Sequence, residues 1–155
     1  ASVPNARVHR PIATVAGMGT AAYDARNLPL DQAFWEIVGG GCGGYLGGAA
    51  PDWIDPPVSP RHRHVGHGVV NAVTAIAVGG PPLVMYQRRL RERADELRAQ
   101  RPYLNDGLSQ LLNWLHECFL RFLVGLVNGF IAGYVSHLAL DAFTPQGLNL
   151  IARGI

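Results

Sequence analysis

The sequence predicts an all-helical (all-α) protein, a small bundle of about four apolar helices that crosses a membrane, with a Pro-rich loop carrying metal ligands. Only 15% of the residues are charged and 48% are apolar, whereas an ordinary soluble domain has about 25% charged residues. Residues 122–140 form an apolar run close to the roughly 20 residues that cross a bilayer. The length suits one core, so we expect a single domain over residues 1–155.

Charge and cysteine content exclude some functions. The net charge of +2 indicates no nucleic-acid partner. Cys42 and Cys118 lie far apart and match no metal or redox spacing, so we interpret both as small buried apolar residues. The mean hydropathy of +0.11 is low for a bundle exposed only to lipid, which predicts one charged surface segment as well.

The first two helices are predicted over residues 11–23 and 32–48. Pro11 stands near the start of the first, where its missing N–H costs little, and Asp31 is the expected N-cap of the second. The second helix contains a run of glycines at 39–41 and 43–44. Such residues allow close approach of helix backbones. A flexible glycine loop is the alternative, since each glycine costs a helix about 1 kcal/mol.

The second half of the chain predicts two further helices after an irregular stretch. Residues 49–66 hold four prolines and are expected to form neither helix nor strand. A third helix begins near residue 68, is broken or kinked at 79–82, and continues as a charged, solvated face over residues 87–100. The fourth covers residues 104–143. A soluble bundle that buries these apolar stretches as its core is the alternative.

One candidate half-site lies in the Pro-rich stretch. Carboxylates and imidazoles are concentrated between residues 52 and 67, namely Asp52, Asp55, His62, His64 and His67. Zinc and similar cations take imidazole nitrogen and carboxylate oxygen as ligands. His-rich tracts of this kind are typical of metal binding, with a polar surface loop as the alternative.

A second candidate half-site ends the last apolar helix. His137 and Asp141 are four residues apart, so they share one helix face and can reach a single cation. Burying His137 and Asp141 in an apolar helix without partners would be energetically unfavourable. His9, before the first helix, is either a further ligand or a surface residue. If all four helices cross the membrane, His9, the Pro-rich loop and the His137 pair meet at the same membrane face.

These stretches resemble the family of inner-membrane-associated metal-dependent hydrolases, also described as LexA-binding, which is distantly similar to zinc-dependent phospholipase C and P1 nuclease. The resemblance covers roughly residues 9–155. It rests on Gly48-Ala49-Ala50-Pro51-Asp52-Trp53-Ile54-Asp55, on Ser59-Pro60-Arg61-His62-Arg63-His64-Val65-Gly66-His67, and on Gly133-Tyr134-Val135-Ser136-His137-Leu138-Ala139-Leu140-Asp141-Ala142-Phe143-Thr144-Pro145-Gln146-Gly147.

The resemblance implies a multi-pass hydrolase of the bacterial inner (cytoplasmic) membrane that acts on phosphoesters, with membrane lipid around it. Its divalent cations, zinc above all, would be held by Asp52, His62, His67, His137, Asp141 and His9. Asp55 and Arg63 are the expected catalytic residues, Arg63 by binding a phosphate oxygen.

The chain departs from the family pattern beside one expected ligand. Gly66 and Gly68 flank His67 where the family has hydroxyl side chains. Hydrogen bonds from neighbouring groups orient metal ligands and tune the metal. The departure therefore favours an alternative, a non-catalytic subunit of a membrane complex with a structural or vestigial metal site.

Overall fold

The computed structural model of the chain describes residues 6–54 and 69–142, and over these ranges the protein is helical without any strand. Helix α1 covers Ala6–Asp24, α2 covers Leu30–Ile54, α3 covers Val69–Gln100 and α4 covers Gly107–Ala142. A short 3-10 turn, Arg101–Tyr103, precedes α4. The prediction of an all-helical fold is confirmed.

Helix α2 lies between α1 and α4 and touches both through glycines. Three glycines of α2, spaced four residues apart, face α4, namely Gly39, Gly43 and Gly47. The glycine that follows each of them faces α1, namely Gly40, Gly44 and Gly48. Helix α4 contains a matching series of glycines at the same spacing, Gly125, Gly129 and Gly133. This spacing places each series on one helix face.

The glycines allow direct contact between helix backbones. A Cβ added to Gly43 would overlap the carbonyl oxygen of Leu126, and one added to Gly129 would overlap that of Gly40. Any larger residue would therefore push the helices apart. Close packing offsets the roughly 1 kcal/mol that each glycine costs a helix. The predicted helix through the glycines is confirmed, and the flexible-loop alternative is wrong.

Several predicted boundaries are wrong because helices continue through prolines. Helix α2 runs to Ile54 through Pro51, so Asp52 lies on the last turn of a helix rather than in an irregular loop. Burial of Ala49, Ala50 and Pro51 offsets the backbone hydrogen bond that proline removes. Helix α3 likewise continues through its two prolines at 81 and 82, so of the predicted break or kink the break does not occur. Helix α1 begins at Ala6, upstream of its proline.

An aspartate near the start of α2 forms an ion pair, whereas an aspartate at the start of α4 caps the helix. Asp31, the expected N-cap, instead lies in the first turn of α2 and accepts a hydrogen bond of 2.7 Å from Arg98. That bond holds the pKa of the Asp31 carboxyl below its usual value. Asp106 caps α4 by accepting a 2.8 Å bond from the Ser109 N–H. The bond with Ser109 lowers the pKa of Asp106.

The charged part of α3 is only partly solvated, which corrects the sequence interpretation. One side of it, Leu90, Ala94 and Leu97, is buried against α4 at Leu120 and Val124. The opposite side remains exposed, as predicted, at Arg88, Arg89, Glu92 and Arg93. The charged run is therefore an amphipathic helix that covers the first half of α4.

Buried ion pairs join α2, α3 and α4 beside this core. Glu36 and Arg121 are both 1% exposed and lie 3.2 Å apart, from Oε1 to Nη1. Arg91 reaches the other Glu36 oxygen at 2.5 Å. One turn away, buried Glu117 pairs with Arg98 and Arg101. We call these six residues the ion-pair network.

One helical stretch among the described residues is long and apolar enough to cross a membrane, Gly107–Asp141 in α4. The sequence predicted about four membrane-crossing helices. Among the described residues, only α4 meets the length and hydropathy expected of one. The buried residues Glu117 and Arg121 fall in the first half of this stretch, and the ion-pair network neutralises them there.

Replacing Gly43 by alanine should destabilise the protein by about 1–3 kcal/mol, because the new methyl group overlaps the α4 backbone. Gly19→Ala is the matched control, since an added Cβ there meets nothing within 4 Å. It should stabilise the helix by about 0.5–1 kcal/mol. Thermal unfolding followed by circular dichroism measures both, and equal stability of the two variants would contradict the close-contact interpretation.

Replacing Glu36 by alanine should cost about 3–5 kcal/mol, because Arg121 and Arg91 then lose a buried partner. Arg93→Ala is the control. It breaks the pair of Arg93 with Glu96, whose side chains are 55% and 56% exposed, and such pairs contribute about 0–1 kcal/mol. Denaturant unfolding should separate the two variants clearly, and a Glu36→Ala loss as small as that of Arg93→Ala would disprove a stabilising network.

Candidate metal centre

Helices α1, α2 and α4 converge at Gly48, the last of the three α2 glycines that face α1. The Nδ1 atom of His137 lies 2.5 Å from the Gly48 carbonyl oxygen. A Cβ on Gly48 would overlap the Cβ of Ala13 in α1. The absence of a side chain at Gly48 thus allows all three helices to approach the same point, and His137 is 1% exposed there.

The bond with Gly48 fixes the orientation of the His137 ring. A carbonyl oxygen only accepts, so Nδ1 carries the hydrogen and donates it. The other nitrogen, Nε2, then faces two carboxylates. It lies 3.4 Å from Asp141 Oδ2 and 3.8 Å from Asp52 Oδ1. Metal-binding histidines characteristically donate one ring N–H to a carbonyl or carboxylate and bind the metal with the other nitrogen.

His9 of α1 completes a group of three candidate ligands. Its ring meets the His137 ring edge-on, with the ring centroids 4.5 Å apart and the planes at 81°. One ligand atom from each of His9, His137 and Asp141 lies within 4.8 Å of the others. All three residues are buried, at 6%, 1% and 1% exposure, which separates this group from an ordinary exposed polar patch.

One separation in the group matches that of two ligands on a tetrahedral cation. Zinc binds imidazole nitrogen and carboxylate oxygen at about 2.0–2.2 Å, so two tetrahedral ligands lie about 3.4 Å from each other. His137 Nε2 lies 3.4 Å from Asp141 Oδ2, a distance at which the two side chains also attract each other directly. A ring nitrogen of His9 lies within 4.8 Å of a ligand atom of each of these two residues.

Asp52 is the most solvent-exposed member of the group. Its side chain is 23% exposed, whereas those of His137 and Asp141 are 1% and 2% exposed. Asp52 reaches the group from the last turn of α2, which exists because α2 continues through Pro51.

Four of the eight predicted site residues are brought together by the structure, His9, Asp52, His137 and Asp141. The other four, Asp55, His62, Arg63 and His67, lie outside the described residues, as does His64. For His9, which the sequence left open between ligand and surface residue, the structure shows a buried position beside His137.

Sequence reasoning missed the role of the Gly48 carbonyl. The series Gly40, Gly44 and Gly48 marks the face of α2 that approaches α1, but it does not identify the carbonyl that His137 of α4 contacts. It also missed the pairing of Glu36 with Arg121. Single charged residues within otherwise apolar helices are expensive, and this should have predicted that the two are partners.

Comparison of the chain with protein-family models, with curated proteins and with solved structures found no match.

Zinc at about 100 times its dissociation constant should stabilise the wild-type protein by about 2.7 kcal/mol through binding to the folded state. His137→Gln should lose most of this gain, because it removes the nitrogen that faces both carboxylates. His116→Gln is the control, since His116 is an exposed histidine of the same helix. Thermal unfolding with and without zinc measures the effect, and an undiminished gain in His137→Gln would exclude this ligand.

Proposed function

We propose that the protein is a metal-dependent hydrolase of phosphoesters whose divalent cation, zinc above all, is held by His9, His137, Asp141 and Asp52. The observation that carries the proposal is the placement of His137, with Nδ1 bound to the Gly48 carbonyl at 2.5 Å and Nε2 facing two carboxylates. The resemblance of the two sequence motifs implies the same ligands and supplies the substrate class.

The donor set fits the chemistry. Two imidazoles with one or two carboxylates resemble the ligand sets of catalytic zinc sites, which keep one position open. A cation bound there would polarise a phosphoryl oxygen and bring the pKa of a water molecule toward neutrality. In the hydrolysis, an oxygen–phosphorus bond forms from water as the bond to the leaving alcohol breaks, and the alcohol departs with a proton.

The protein's own residues would prepare this reaction. The Gly48 carbonyl holds the ring of His137 so that Nε2 stays directed at the ion. Burial of His9, His137 and Asp141 keeps these side chains away from bulk water, which strengthens electrostatic interactions inside the site. Asp52, the most exposed of the group, lies where the phosphoester would enter.

We place the protein in the bacterial inner membrane as a multi-pass protein. The apolar stretch Gly107–Asp141 supports this location. So do the glycine contacts, which are typical of helix packing in lipid. Large apolar side chains are also exposed along three helices, for example at Ile12, Val15, Met18, Val78, Val84, Met85 and Val135. Lipid would cover this surface.

A non-catalytic role is the second candidate, and one observation favours it. His9 belongs to α1, whereas His137 and Asp141 belong to α4, and all three are buried. A cation there would tie the N-terminal helix to the C-terminal one as a structural ion, in a subunit of a membrane complex. The two candidates differ in whether the ion can be reached by substrate.

Asp141→Asn separates them, because it keeps the shape of the side chain and removes the ligand charge. For the hydrolase, we expect wild-type protein with zinc to cleave bis(p-nitrophenyl) phosphate. Asp141→Asn should lower kcat/KM at least about 100-fold, because even residues that only orient a metal ligand contribute about 10- to 100-fold, with a small change in the melting temperature measured without zinc. The control is His116→Gln, which should keep full activity.

The structural alternative predicts a different result for activity. Wild-type protein would then be inert toward phosphoesters with each divalent metal tried, although zinc would still raise its melting temperature and Asp141→Asn would still lose that gain. Chelation by EDTA followed by return of zinc adds a check, since activity should disappear and recover if the ion takes part in the reaction.

A further inference from the structure

An apolar groove lies beside the candidate metal centre, between α2, α3 and α4. Its volume is about 220 Å³. The walls come from Ala50 and Ile54 of α2, from Leu83 of α3, and from Phe130 and Ile131 of α4. None of the described residues that line it is charged. Neither the ion-pair network nor the ligand group uses this groove.

The groove leads along α4 to the candidate ligands. Phe130, Tyr134, His137 and Asp141 follow one another at steps of three or four residues, so they share one face of the helix. Tyr134, which also lines the groove, lies three residues before His137. At 1.5 Å per residue this is about 4.5 Å along the axis, and Phe130 is about 10 Å away.

Helix α2 presents the groove and the candidate ligand on different faces. Ala50 and Ile54 are four residues apart and line the groove together, whereas Asp52, two residues from each, lies on the opposite face of α2. The connection between the groove and the candidate ligands is therefore made by α4.

The size and lining indicate a hydrocarbon chain. Pockets for whole drug-sized ligands have volumes of about 300–1,000 Å³, so a groove of 220 Å³ suits one part of a molecule. Lining side chains are partly exposed, Leu83 at 37% and Phe130 at 38%, and Val84 and Met85 beside them are exposed as well. The groove thus opens onto the apolar surface of the bundle.

We propose that this groove binds the alkyl chain of a membrane lipid whose phosphoester lies at the candidate metal centre. The substrate is then an amphiphile, with its phosphate a few bonds from the start of the chain. A lipid chain reaches the groove from the surrounding bilayer without passing through water. This inference rests on the proposed function and names the substrate class of the same site.

The test compares two phosphodiesters that differ only in chain length, methyl p-nitrophenyl phosphate and hexyl p-nitrophenyl phosphate. The protein is held in amphipol with zinc, so that no free detergent competes for the groove. Each methylene that the groove covers should raise kcat/KM about fourfold. We therefore expect the wild type to prefer the hexyl ester by more than tenfold.

Two neighbouring glycines of α3 give a matched pair of variants. An added Cβ meets nothing within 4 Å at either Gly79 or Gly80, so neither side chain begins in a clash with a neighbouring helix. Because Gly80 precedes Pro81, and proline disfavours helical backbone at the residue before it, circular dichroism first checks that both variants keep the helix content of the wild type. Gly80 lines the groove and Gly79 does not. Gly80→Leu should fill the groove and reduce the preference for the hexyl ester to less than about threefold, because fewer methylenes are then covered. Gly79→Leu should retain the preference.

The outcomes separate this inference from the proposed function. Equal kcat/KM for the two esters in the wild type, or a preference unchanged by Gly80→Leu, overturns the groove as the chain site. If neither ester is cleaved, the hydrolase proposal fails. The affinities for hexylphosphonate and methylphosphonate, measured by calorimetry, then test whether the groove binds an alkyl chain. Tighter binding of hexylphosphonate that Gly80→Leu abolishes supports it, and equal binding overturns it.

Discussion

The bundle depends on direct contact between the backbone of α2 and those of its two neighbours. Glycines on two adjacent faces of α2 remove every side chain that would separate the helices, and α4 does the same with its own glycine series. Close packing of this kind gains dispersion contacts over the whole length of the interface. It also leaves little freedom of register, because an axial shift would bring larger residues into the contact.

That fixed register positions the two polar ends of the bundle. At one end, Glu36 of α2 meets Arg121 of α4 within the ion-pair network. At the other end, Gly48 of α2 meets His137 of α4. The two α2 residues are twelve positions apart, about 18 Å along a helix. At the first end, sliding α2 along α4 would separate the buried charges of Glu36 and Arg121. At the second end, it would break the hydrogen bond from His137 to the Gly48 carbonyl.

The candidate metal centre and the groove are consequences of how α2 ends. Because α2 continues through Pro51, Asp52 reaches His137, and Ala50 and Ile54 form a wall of the groove. The buried polar centre and the apolar groove, joined along α4, are the basis of the proposed amphiphilic substrate. The same geometry explains why the structural alternative is a serious rival, since buried ligands from α1 and α4 would also tie those helices together.

The sequence by itself determined the helices and one pair of candidate ligands. Apolar runs and helical periodicity are local properties, and the spacing of His137 and Asp141 places them on one face of any helix. Tertiary structure decided the rest. Only packing shows that α2 continues past its proline, that Arg91 is drawn to buried Glu36, and that His9 meets His137. The orientation of His137 depends on a backbone carbonyl 89 residues away. Every residue carries such a carbonyl, so no sequence pattern reveals which one a helix contact will bring into place.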